Sequence, residues 1–323
     1  MRPRVFIARP IQQSVIEQIA QSCEVEIYSQ DAPMTLPQFV EAIGAMDGVV
    51  SVGGNITEPV LQSAPKLRVV ANIGAGYDTI DLEACTKRSI AVTNTPDVLT
   101  ESTADFAFSL LLAVSRRLFE ADGYVRDGGW KTGQFHLLWG TELNGKTLGL
   151  YGFGRTGQAM ARRGRGFGMK VLYHSRHRVT PGVEAETRSQ FVPFVKLLRE
   201  SDFLSLHTPL NSDSRFAIGP DQFALMKTGA FLINTARGKI VQEEALVKAL
   251  KAGKLAGAGL DVFENEPQIC PGLLQMKNVI LAPHIASATT EARLRMASLA
   301  ADNLLAFFAG RRPPNILNPE VLR

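Results

Sequence analysis

The sequence is poor in cysteine, in long apolar runs and in blocks of like charge, and each scarcity removes a class of explanation. Its cysteines, Cys23, Cys85 and Cys270, are far apart, odd in number and without a CxxC or metal-like spacing. That pattern argues against a disulfide framework and a metal site, and for reduced structural thiols in a cytoplasmic protein. The longest apolar stretch, Phe106 to Val114, is interrupted by Ser109 and is too short to span a bilayer. Met1-Arg2-Pro3-Arg4-Val5-Phe6-Ile7 runs straight into a strand-like segment, not into a secretory leader. The net charge of +4 is spread without Lys/Arg tracts, so neither nucleic acid nor a membrane is an expected partner, and small anions are favoured only weakly. Low-complexity blocks and repeats are also missing, and 45% hydrophobic with 20% charged residues is the balance of a folded globular chain.

With 323 residues the chain is longer than one core usually grows, so two domains are expected. The first hundred residues alternate helical segments with β-rich runs: Arg4 to Ala8, Val25 to Tyr28, Gly48 to Val52, Arg68 to Ile73 and Ala91 to Thr93. Such βα alternation implies a parallel sheet wrapped by helices. Thr35 before Pro37 and Thr57 before Pro59 mark helix starts, a capping oxygen followed by an early proline. Apolar residues at helical spacing predict one long helix from about Glu101 to about Arg126, ended by Gly128-Gly129. A second series of six strands follows: Thr147 to Tyr151, Lys170 to Tyr173, Asp202 to Leu206, Ala230 to Asn234, Gly257 to Asp261 and Asn278 to Leu281. Six matches a full Rossmann sheet. The last apolar helix, Glu291 to Phe308, stops at Gly310-Arg311-Arg312-Pro313-Pro314 and is expected to return to the first domain, making that domain discontinuous.

Gly152-Phe153-Gly154-Arg155-Thr156-Gly157 fits GxGxxG directly after a strand and directly before a helix. In that context Gly152 permits the tight turn, Gly154 lets the backbone approach a pyrophosphate and Gly157 allows close helix–strand packing. The helix start near Arg155 and Thr156 would bind the phosphates. A ligand-free glycine turn is the bland alternative. Cofactor choice is read at the end of the next strand, where an acid would hold the ribose hydroxyls of NAD. His174-Ser175-Arg176-His177-Arg178 stands there instead. Ser175 can donate to a 2′-phosphate and Arg176 can pair with it, so NADP is expected over NAD; the alternative is a solvated basic loop.

Three polar residues follow strands of the second series, where open α/β sheets place ligands. They are Arg237 in Asn234-Thr235-Ala236-Arg237-Gly238, Glu266 in Asn265-Glu266-Pro267 and His284 in Pro283-His284-Ile285-Ala286. Reducing a 2-keto acid needs a proton donor for the carbonyl oxygen and a cation for the carboxylate. Histidine titrates near neutrality, so His284 can give and recover that proton, with Glu266 orienting its ring. Arg237 can pair with the carboxylate and polarise the carbonyl. Taken singly, each has a plain alternative: a surface ion pair, a loop carboxylate, a hydrogen-bonded structural histidine.

Those segments, with Asn72-Ile73-Gly74-Ala75-Gly76-Tyr77-Asp78-Thr79-Ile80-Asp81 and Gly259-Leu260-Asp261-Val262-Phe263, resemble the D-isomer-specific 2-hydroxyacid dehydrogenases. The resemblance covers nearly the whole chain and is greatest to the glyoxylate/hydroxypyruvate and 2-ketogluconate reductase branch. It implies an α/β fold of two doubly wound parallel-sheet domains. A Rossmann cofactor domain (100–286) would be inserted in a discontinuous flavodoxin-like substrate domain (1–99 and 287–323). The resemblance further implies a catalytic Arg237, Glu266 and His284, and Asp261 on the nicotinamide side. Val52, Gly53 and Gly54, with Gly74, Ala75 and Gly76, would offer backbone amides to the substrate carboxylate. Cofactor contacts are implied for Thr103, His207, Pro209 and Ala236. It also implies a homodimer joined through the long helix and the aromatic stretch after it, with Trp139 a candidate to reach a partner's pocket.

The expected activity is NADPH-dependent reduction of glyoxylate, hydroxypyruvate or 2-ketogluconate, with phenylpyruvate as another candidate acid. A nucleotide-sensing protein like the corepressors that resemble this family is the alternative from another class.

Overall fold

The computed structural model describes residues 1–322, and the chain divides into two compact units: Met1–Leu99 with the segment from Ala288 onward, and Thr100–Ser287. The first unit holds five strands, β1 (Arg4–Ile7), β2 (Glu24–Ile27), β3 (Gly48–Ser51), β4 (Val69–Asn72) and β5 (Ala91–Thr93). All pair in parallel, in the order β2-β1-β3-β4-β5, which is that of a flavodoxin-like sheet. Val49, Val50, Val69 and Val70 are wholly buried, as strands covered on both faces require. One face packs on helices Leu36–Ile43, Glu58–Gln62 and Leu82–Lys87 through Phe39, Ile43, Val60, Leu61 and Cys85. The other packs on Gln13–Ala20 and Thr290–Phe308 through Ile19, Met296, Ala300 and Leu304. Thr35 caps its helix through a capping box with Gln38. After the last helix the chain seals the β5 edge: the Val92 amide donates to Asn318 Oδ1 at 2.8 Å, and Asn318 Nδ2 donates to the Ile90 carbonyl at 2.9 Å.

The second unit holds seven parallel strands: β6 (Thr147–Tyr151), β7 (Lys170–His174), β8 (Ser189–Phe191), β9 (Phe203–Leu206), β10 (Ala230–Asn234), β11 (Leu255–Leu260) and β12 (Val279–Leu281). Their order, β12-β11-β10-β9-β6-β7-β8, is a Rossmann order with one strand added at an edge. The direction of winding reverses between β6 and β9, so the loops leaving those strands diverge and open a crevice at their carboxyl ends. Helices Thr100–Ser115 and Arg155–Gly166 cover one face; Phe194–Glu200, Pro220–Leu225 and Glu243–Lys251 cover the other.

Two expectations are corrected here. A seventh strand, β8, was not expected: three residues, Ser-Gln-Phe, are too short for a periodic signal, and they form a strand by pairing with β7. The single helix from about Glu101 to Arg126 is two, Thr100–Ser115 and Leu118–Arg126. The break is tertiary in origin. The Ser115 carbonyl accepts the Thr141 amide at 2.8 Å, and Arg117 takes a left-handed φ of 55° while its guanidinium pairs with Glu120 at 2.8 and 2.9 Å.

Candidate active site

The glycine loop leaves β6 in a turn only glycine accommodates. Gly152 has φ +95°, and a Cβ there would lie 2.4 Å from the His207 carbonyl carbon. At Gly157 a Cβ would meet the Gly152 oxygen at 2.4 Å. Gly154, the N-cap of helix Arg155–Gly166, is exposed, and nothing lies within 4 Å of its Cβ position. The first turn beyond it, with Arg155 and Thr156, carries no acid. An open backbone at the positive end of a helix fits the pyrophosphate of a dinucleotide.

At the end of β7 the Ser175 hydroxyl donates to the His177 carbonyl at 2.6 Å. Arg178 is committed elsewhere: its guanidinium pairs with Glu184 at 2.9 and 2.7 Å. Together with the Tyr173 hydroxyl, that pairing holds the Glu184 carboxyl down at about 2. Arg176 is exposed and pairs with no carboxylate among the described residues. This loop therefore offers a guanidinium where NAD-binding sheets place an acid.

Thr103 is buried in the first turn of helix Thr100–Ser115, His207 and Pro209 follow β9, and Ala236 follows β10. His207 Nε2 lies 2.8 Å from Ser205 Oγ, and burial of the ring lowers it to about 4, so it is neutral at physiological pH. Asp261, expected on the nicotinamide side, is wholly buried at the end of β11. Its two carboxylate oxygens accept the Ile285 amide at 2.7 Å and the Ala286 amide at 2.8 Å, and its carbonyl accepts the His284 amide at 2.9 Å. Burial raises this carboxyl despite the amide bonds that oppose the rise. Asp261 thus shapes the turn on which His284 sits.

The structure brings Glu266 and His284 together. Glu266 Oε2 lies 2.7 Å from His284 Nδ1, and Oε1 accepts the Phe263 amide at 2.9 Å. Burial alone would raise the Glu266 carboxyl; the His284 ring, the Phe263 amide and the charge of Arg237 outweigh it and hold the group below its usual range. His284 is left-handed, φ 56°, a conformation that costs free energy for a non-glycine residue and persists where its surroundings impose it. Its side chain is 50% exposed, so the ring can meet a ligand. Arg237 leaves β10 on a turn fixed by Asn234, whose amide group accepts from the Ala236 amide at 3.0 Å and donates to the Arg237 carbonyl at 2.9 Å.

In the first unit, the loop after β4 is anchored from behind. Asn72 Nδ2 donates to the Gly74 and Gly76 carbonyls at 3.2 and 2.9 Å, and Asn94 Nδ2 donates to that of Ala75 at 2.8 Å. With their carbonyls tied, Ala75 and Gly76 keep amides that meet no acceptor among the described residues, as does Gly53 beyond Val52. Gly74 and Gly54 depart from the expectation. The Gly74 amide already donates to Thr95 Oγ1 at 2.9 Å, and that of Gly54 to Ser51 Oγ at 3.3 Å.

Comparison with known proteins decides the family. Residues 108–286 match the model described as D-isomer specific 2-hydroxyacid dehydrogenase, NAD binding domain. The chain belongs to the D-isomer-specific 2-hydroxyacid dehydrogenases. Among its relatives is the glyoxylate reductase of Thermococcus litoralis, 50% identical over all of this chain and 98% of that protein. Among solved structures it is similar to a glyoxylate reductase from Paecilomyes thermophila, at 32% identity, TM-score 0.88 and 99% coverage of both chains. It is likewise similar to an NADPH-dependent glyoxylate/hydroxypyruvate reductase from Sinorhizobium meliloti in complex with NADP and malonate, at 36% identity and TM-score 0.86, covering 98% of this chain and 97% of that one.

This dehydrogenase is therefore an oxidoreductase that uses a nicotinamide cofactor. No helix among the described residues is long and apolar enough to cross a membrane, and no group of three or more metal-ligating side chains occurs among them. Sequence reasoning gave no role to the side chains of Asn72, Asn94 and Asn234. Their common signal is an amide side chain where an apolar strand ends, the position at which asparagine caps turns.

Proposed function

We propose that this dehydrogenase reduces a small 2-keto acid, glyoxylate or hydroxypyruvate foremost, to the D-2-hydroxy acid at the expense of NADPH. The carrying observation is the Glu266–His284 pair at 2.7 Å, with the positive charge of Arg237 acting on the same carboxylate. With Nδ1–H donated to Glu266, the protonated ring has Nε2–H left to give. His284 delivers that proton to the carbonyl oxygen, and Glu266 fixes the ring and favours its charged form. Arg237 clamps the carboxylate and polarises the carbonyl. The free amides of Gly53, Ala75 and Gly76 are assigned a substrate carboxylate as anion-binding groups.

The cofactor, when bound, supplies the hydride. Gly152, Gly154 and Gly157 with the helix start at Arg155 and Thr156 would hold its pyrophosphate, and Ser175 and Arg176 its 2′-phosphate. Thr103, His207, Pro209, Ala236 and the Asp261 turn would line the remainder. The substrate named for the Thermococcus litoralis relative and the NADP named for the Sinorhizobium meliloti structure agree with this reading. So does the choice of Arg176 over an acid after β7.

The test is loss of NADPH absorbance with glyoxylate, hydroxypyruvate and 2-ketogluconate, repeated with NADH. Turnover is expected with the smaller acids and faster with NADPH; no turnover with any 2-keto acid sinks the proposal. In the same assay His284→Ala is expected to lower kcat by about a hundredfold or more while NADPH affinity holds. A wild-type rate would remove His284 as the proton donor.

We further propose that the protein is a homodimer. Leu118, Phe119, Val125, Trp130, Phe135 and Trp139 are all more than half exposed, a run of apolar surface on one stretch of chain that marks an interface.

A further inference from the structure

Glu243 is the first residue of helix Glu243–Lys251 and only 6% exposed. An acid at a helix start is ordinary when it faces water; a buried one needs partners. Its partners are two backbone amides at opposite ends of one loop. Glu243 Oε1 accepts from the Glu264 amide at 2.7 Å and Oε2 from the Cys270 amide at 3.3 Å. In return Glu264 Oε2 accepts from the Glu243 amide at 3.4 Å. Between the two anchors lies Glu266, the residue that holds the His284 ring. The same loop is pressed from the side: a Cβ on Gly238, next to Arg237, would lie 1.9 Å from the Phe263 carbonyl. The segment bearing Arg237 and the loop bearing Glu266 are thus fastened to each other at three places, none of them in a hydrogen bond to His284.

We propose that Glu243 is a positioning residue for catalysis, spanning the Glu264–Cys270 loop so that Glu266 meets His284 in register with Arg237. This rests on the reading of Glu266 as the group that orients His284. A carboxylate suits the task because one side chain accepts two amides across a short span; an alcohol or a single amide oxygen does not. The cost of burying it shows in the carboxyl itself. Burial raises it, the two amides work the other way, and the negative charge of Glu264 and Glu266 adds to the rise.

The test is a double-mutant cycle on the whole enzyme with glyoxylate and NADPH. Glu243→Gln keeps the size but leaves one oxygen to serve two amides. It is expected to lower kcat about tenfold by misplacing Glu266, with the KM for glyoxylate and the NADPH affinity, read by nucleotide fluorescence, within about twofold. In a Glu266→Gln background the same change is expected to cost less than about twofold, because its effect passes through Glu266. A wild-type kcat for Glu243→Gln, or an equal loss in both backgrounds, overturns the inference and leaves the site reading standing. A wild-type kcat for Glu266→Gln overturns both. Should Glu243→Gln not fold, Cys270→Pro carries the same test. The φ of −54° at Cys270 suits a proline ring, and the change removes one donor without touching the carboxylate.

Discussion

At the scale of single residues, the side chains that the sequence puts forward as candidates are those whose chemistry is unusual where they stand. Arg237, Glu266 and His284 each follow a strand of the second sheet, and a guanidinium, a carboxylate and an imidazole at strand ends are worth asking about. Glu243 was illegible for the opposite reason. An acid at a helix start is commonplace, and what sets this one apart is the loop folded over it, a contact of some twenty positions in sequence. His207 is similar: its sequence neighbours do not announce that the half-buried ring is withdrawn from water. Its burial has a pH signature. The ring titrates at an ordinary 6.5 in the unfolded chain and at about 4 in the fold. Between those values the unfolded chain binds a proton that the folded chain does not, so stability falls as pH falls across this window and stops falling on this account below about 4. Glu184 acts in the same direction, but only from its ordinary 4.5 downward to about 2. Glu243 and Asp261, whose carboxyls burial raises, act the other way in wild type and variant alike, so comparing the two in thermal melts between pH 6.5 and 4.5 isolates the histidine. The melting temperature should decline across that interval in the wild type and stay flatter in His207→Gln; parallel curves would remove burial of this ring as the cause.

At the scale of elements, strands and helix starts were legible because their signals are local. The paired strands β3 to β5 and β9 to β12 appear within about two residues of where period and composition place them, and Thr35 and Thr57 stand at N-caps. The split of the helix after Ser115 was not legible, since periodicity continues through the break and the hydrogen bond that ends the helix comes from Thr141. The join between the segment after β10 and the loop after β11 is likewise a matter of packing. There the backbones at Gly238 and Phe263 approach so closely that no side chain fits. Gly238→Ala should therefore destabilise the protein by about 1–3 kcal/mol or more, because the displaced atoms are main chain and cannot rotate away. Denaturant unfolding measures this, and a midpoint equal to that of the wild type would show that the join is looser than described.

At the scale of the whole molecule, chain length and two βα series pointed to two α/β units, whereas the doubly wound architecture was what the family resemblance implied. The proposed dimer is a statement at this scale as well. Phe119 is 64% exposed beside Leu118, at the start of the segment whose exposed apolar side chains end at Trp139, so Phe119→Asp places a charge where a partner chain would have to desolvate it. Light scattering should report two chain masses for the wild type and one for the variant; a wild-type monomer would refute the dimer.

The last consequence concerns the order in which the molecule is made. Every strand of the second sheet comes from one unbroken stretch, Thr100–Ser287. The first sheet, although its five strands are synthesised earliest, is covered on one face by helix Thr290–Phe308 and sealed at β5 by Asn318. A nascent chain leaving the ribosome can therefore finish its nucleotide-binding half while the half begun first still lacks a wall. Residues synthesised hundreds of positions later close it, so the part that starts first is completed last.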